Sequence, residues 1–112
     1  MNVFQNYTPH TINVETVYGK REFPSLGDAR VSESTTIINS TDDIELRRVF
    51  YKEITGLPEP MPGKMYIVSM VVAQANRRSL YPRKDLVSPD TGSTCLRNEK
   101  GQIRAVTGFV VY

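Results

Sequence analysis

The segment Gly56-Leu57-Pro58-Glu59-Pro60-Met61-Pro62-Gly63 holds three prolines between two glycines. Proline lacks an amide N–H and fixes φ, so this stretch cannot run through a helix or a central strand. It reads as an extended, rigid loop that divides the 112-residue chain. Neither side is long enough for a comfortable separate domain, so residues 1–112 are expected to form one. Charge follows the same division. Residues 1–63 carry six Lys/Arg and nine Asp/Glu, net −3, and residues 64–112 carry eight and three, net +5. A basic C-terminal half points to an anionic partner; the alternatives are complementarity between the halves or an ordinary solvated face.

Strand signals dominate the first half. Thr11–Tyr18 alternates, with Ile12, Val14, Thr16 and Tyr18 on one face. A turn at Gly19-Lys20 leads into a short strand around Arg21–Phe23, which makes a hairpin. Ala29–Ile38 is rich in β-branched residues and suits a strand with one solvated face. Asn39–Asp43 reads as a polar loop. Ile44–Ile54 is ambiguous: its first half can form a helical turn capped by Thr41 or Asp42, while Val49–Ile54 reads as strand.

In the second half, Met65–Val68 is a short buried strand, and Ser69 caps a helix from about Met70 to Arg78. Helical spacing places Val71, Ala75 and Arg78 on roughly one side. Ser79–Ser93 reads as a long polar loop, a length often tied to function. Thr94–Arg97 and Ile103–Tyr112 are expected to pair around Asn98-Glu99-Lys100-Gly101. The expected fold is α+β, mainly antiparallel β-sheet with one short helix over about 69–78.

Several chemistries drop out. His10 and Cys95 are the chain's one histidine and one cysteine, which leaves no zinc-ligand spacing. Asp42-Asp43-x-Glu45 lacks the glycine and spacing of a calcium loop. Ser69 sits at a strand-to-helix turn, but the glycines of a nucleophile elbow are missing and His10 is far away in sequence. The expectation is therefore no metal, no cofactor and no catalysis. A lone cysteine fits a reducing compartment. MNVFQNYTPH lacks the basic and apolar regions of a signal peptide, and the apolar stretch Met65–Ala75 is too short to span a bilayer. A cytoplasmic protein is expected, with no membrane partner.

Phosphate binding is the more credible chemistry. Ser69 opens a helix whose first N–H groups attract anions. Arg77, Arg78, Arg83 and Lys84 follow, interleaved with Tyr81. Arginine pairs with phosphate bidentately, and tyrosine can stack on a base. Asp85 and Asp90 can accept hydrogen bonds from a base or ribose, and Thr91-Gly92 can donate. The two ends of the helix lie about 12 Å apart at 1.5 Å per residue, so the loop or a second subunit would have to close the gap. Sequence-specific DNA binding is not expected, since no helix-turn-helix pair is visible.

Three patterns carry a resemblance: Asn6-x-Thr8-Pro9-His10, then Gly27-x-Ala29-Arg30-Val31, then Gly56-Leu57-Pro58-x-Pro60-x-Pro62-Gly63-x-x-Tyr66-Ile67-Val68-Ser69. With an Arg/Asp-containing loop after the serine and a terminal hairpin, they resemble a largely uncharacterised family of short phage, prophage and bacterial proteins. The resemblance implies a phage context and names no activity. Small phage proteins of this kind often counter host defence by binding. The expected function is sequestration of a nucleotide-derived immune signal, without cleavage, by a homo-oligomer in the host cytoplasm. Ser69, Arg77, Arg78, Tyr81, Arg83, Lys84, Asp85 and Thr91 are the expected ligand contacts. The alternative is a protein–protein inhibitor of a host enzyme or defence protein, working through Leu57–Pro62 and exposed strand edges.

Overall fold

A computed structural model of the chain describes residues 3–112. Among them are ten strands and one short helix. In order they are β1 (Phe4–Asn6), β2 (Ile12–Thr16), β3 (Gly19–Phe23), β4 (Arg30–Thr41), β5 (Ile44–Thr55), β6 (Met65–Ile67), α1 (Met70–Arg77), β7 (Leu86–Pro89), β8 (Leu96–Arg97), β9 (Ile103–Ala105) and β10 (Phe109–Val110). Most pairings are antiparallel, as the sequence predicts, but the central sheet is mixed. Its order is β1-β6-β7-β10, with β1, β6 and β7 parallel and β10 antiparallel to β7.

Alternation along β6 splits the interior into two layers. Tyr66 and Val68 face α1 and pack with Val72, Ala73, Leu86 and Ala29. Ile67 faces the other way and joins Val87, Val14, Phe23 and Val106. The β2–β3 hairpin covers that second face, where the rings of Phe4, Phe23 and Phe109 meet with centroids 5.0–6.3 Å apart.

Asn6 ties these parts together. It is 1% exposed. Its Nδ2 donates to the carbonyls of His10 and Phe23, both at 2.7 Å. Its Oδ1 accepts from the Thr8 amide at 2.9 Å and the Thr8 hydroxyl at 2.7 Å. Two donors and two lone pairs are the full capacity of an asparagine side chain. His10 thus enters the N-terminal turn through its carbonyl.

Several expectations change. The first hairpin turns at Val17-Tyr18, and Gly19, with φ +125°, begins β3. Asn39–Asp43 is not a loop: β4 runs on to Thr41, and the turn is only Asp42-Asp43, with φ 52° and 61°. Two successive positive φ values are the signature of the tight hairpin turn that matches strand twist. The ambiguity at Ile44–Ile54 resolves to strand throughout. The long polar loop Ser79–Ser93 is also interrupted, because Leu86–Pro89 forms buried β7. A strand covered on both faces shows no alternation, which hid it.

The helix begins as expected, with the Ser69 side chain accepting from the Val72 amide at 3.4 Å. Its buried face is instead Val72, Ala73, Ala75 and Asn76, and Val71 is 42% exposed. No helix among the described residues is long and apolar enough to cross a membrane.

Asn6→Ala removes the partner of three buried groups and of the part-buried His10 carbonyl at once. It is expected to lower the unfolding free energy by about 3 kcal/mol, read from urea unfolding; a loss under about 1 kcal/mol would show that water satisfies the site instead.

Candidate functional site

The parallel pairing of β6 with β7 decides which expected contacts can meet. Tyr66 pairs with Leu86, so both strands begin at the same edge of the sheet. Arg83, Lys84 and Asp85 lie just before β7, at that edge. Ser69 and Thr91 lie just beyond the opposite ends of β6 and β7. At 3.3 Å per residue, four residues of β7 separate the groups by about 13 Å. The helix returns across this gap and delivers Arg77 to the Arg83 edge.

There Arg77, Arg83 and Lys84 line one cleft of about 370 Å³, with Asn76, Leu86 and Tyr112. Asn76 explains how the loop is held. It is buried, its Nδ2 donates to the Arg83 carbonyl at 2.8 Å, and its Oδ1 accepts from the Arg83 amide at 2.9 Å. One amide side chain thus clamps both main-chain groups of Arg83.

The Arg83 guanidinium is already engaged. Its Nε and a terminal nitrogen donate to the two Asp85 oxygens at 2.9 and 2.8 Å, the side-on bidentate geometry. It also lies 5.5 Å from the Tyr66 ring centroid. The Asp85 hydrogen bond holds Arg83 above the ordinary arginine range, against the opposing pull of partial burial. The pair forms across the bend at Lys84-Asp85, just before β7 begins. Arg83 and Asp85 therefore stiffen the cleft wall, and Arg77 and Lys84 remain exposed with no ion-pair partner among the described residues.

The other expected contacts are dispersed. Arg78 stacks 5.6 Å from the Tyr51 ring and lines a separate cleft between α1 and β5. Tyr81 is 91% exposed and lines neither cleft. Ser69 is occupied as the helix cap. The Thr91 carbonyl accepts from the Cys95 thiol, while Asp90 accepts from the Gly92 amide and the Thr94 hydroxyl. Asn76 and Tyr112 were not foreseen. The seven-residue spacing from Asn76 to Arg83 matches no local pattern, and Tyr112 reaches the cleft only through tertiary folding.

Asp85→Asn leaves the guanidinium over Tyr66 without its counter-charge. It is expected to cost about 1–3 kcal/mol in urea unfolding, and the apolar double variant Arg83→Met/Asp85→Leu is expected to recover most of that. A double variant as unstable as the single one would show that the pair is not the stabilising unit.

The chain matches no protein-family model, no curated protein and no solved structure at a significant level.

Proposed function

We propose that the protein is a homo-oligomeric binding protein that holds an anionic, nucleotide-derived ligand in the Arg77–Lys84–Tyr112 cleft and does not cleave it. One observation carries this reading. Two cations from different elements, Arg77 at the end of α1 and Lys84 before β7, line the same cleft and have no ion-pair partner among the described residues. An arginine fork and a lysine point charge suit phosphate oxygens. Tyr112 supplies an aromatic surface on which a base can stack. The cleft volume falls within the roughly 300–1,000 Å³ usual for small-ligand sites. Arg83, neutralised by Asp85, shapes the wall and leaves the phosphate to its two neighbours.

The resemblance to short phage proteins adds the setting: a counter-defence factor in the host cytoplasm that lowers the free concentration of an immune signal. Binding without turnover fits a site whose polar side chains are cations, an amide and the Tyr112 phenol, with no base beside a nucleophile among the described residues.

Calorimetry against cyclic nucleotides and ADP-ribose derivatives tests the reading. Losing two charge-assisted contacts predicts that Arg77→Glu/Lys84→Glu weakens binding about 100-fold or more. Ser69→Ala and Thr91→Ala, at the far edge of the sheet, are expected to leave affinity unchanged. The bound compound should be released intact on denaturation; a cleaved product would make the protein a hydrolase. Absence of binding across the panel would sink the ligand reading.

A further inference from the structure

The β4–β5 hairpin is an arm. Two twelve-residue strands reach about 40 Å at 3.3 Å per residue. The longest extent of the molecule is 54 Å, and its radius of gyration is 16.6 Å, against about 13 Å for a compact chain of this length. The base touches the body through Val31 and Ile54, and Tyr51 meets Arg78 of α1. Beyond Val31 every β4 residue is exposed, and so is every β5 residue before Tyr51.

A two-stranded ribbon this long is at best marginally stable alone in water. This one also exposes large apolar side chains, among them a row along β5. Ladder register places Ile44, Leu46, Arg48 and Phe50 on one face, opposite Thr41, Asn39, Thr36 and Ser34. Ile44 is 63% exposed, Leu46 44% and Phe50 48%. The face holds no carboxylate.

Charge identifies what covers it. The turn Asp42-Asp43 is acidic, and neither residue has an ion-pair partner among the described residues. At the base of the same arm lies a cleft of about 470 Å³, lined by Phe50, Tyr51, Lys52 and Glu53 of β5 and by Arg78 of α1. Tip and base thus carry opposite charge, about one arm length apart. A second copy lying antiparallel brings each tip to the other's base, and two-fold symmetry makes the contact twice.

We propose that the protein is an arm-paired homodimer, in which the arm faces bearing Ile44, Leu46 and Phe50 pack antiparallel about a two-fold axis. Each Asp42-Asp43 turn sits in the Lys52–Arg78 cleft of its partner. This rests on the homo-oligomer part of the proposed function and is independent of the ligand.

Sedimentation equilibrium, with circular dichroism as a fold control, tests it. Wild type is expected to have twice the chain mass, with dimerisation weakened by salt. Leu46→Asp, far from the body, should give a folded monomer. Asp42→Asn/Asp43→Gly keeps or improves the turn while deleting both charges. It should weaken the dimer at least tenfold, which a purely structural role for the turn would not do. Lys52→Glu should weaken it likewise. A wild-type monomer at every accessible concentration, a dimer indifferent to Leu46→Asp, or an arm that captures a host protein instead of its copy would each overturn the proposal. Ligand calorimetry on Leu46→Asp keeps the two proposals separable, since the Arg77–Lys84 cleft lies off the arm.

Discussion

Asn6 has four hydrogen-bonding capacities, almost no contact with water, and a partner for each. An unpaired polar group at such a site would be costly, so geometry here is close to obligatory. The consequences spread outward. Bonding the Phe23 carbonyl holds the end of β3 against β1. Bonding His10 and Thr8 folds the chain between β1 and β2 into one compact turn. The main-chain carbonyl of the same residue accepts from the Leu26 amide at 2.8 Å and so fixes the approach to β4. The short strand β1 can then serve as a parallel edge for β6, although it has only three residues.

Local spacing was readable where a structural unit is local. The β2–β3 hairpin, the strand character of 29–38, the proline-rich loop and the Ser69 cap all rest on neighbours within a few positions. What escaped reading depends on distant chain. Leu86–Pro89 becomes a strand because β6 and β10 flank it, and nothing in Leu-Val-Ser-Pro announces that. The helix face was displaced because Asn76, a polar residue, turns inward to hold Arg83. Asp42 and Asp43 were read as part of a loop, yet they tolerate positive φ and so permit a two-residue turn.

The candidate site shows the same division. Composition groups Arg83 and Asp85 with the ligand contacts, and the bend between them pairs them with each other. The separation of Ser69 and Thr91 from Arg77 and Lys84 was not legible in the sequence, because it follows from the parallel order of β6 and β7. A charged loop is one object in sequence and two in space once a strand begins inside it. Of the basic residues of the C-terminal half, Arg77 and Lys84 come together at one edge of the sheet.

Gly56 closes the base of the arm. Its φ is +89°, and a side chain there would meet the Asp28 carbonyl oxygen at 2.5 Å, so the two ends of the hairpin approach as only glycine allows. This contact has a topological meaning. β1 must find β6 across about sixty intervening positions, a long loop whose closure is entropically unfavourable. The zipped arm removes nearly half of that loop from the count, because Asp28 and Gly56 become neighbours whatever the hairpin does beyond them. A segment that contributes almost nothing to the core therefore shortens the path by which β1 and β6 meet.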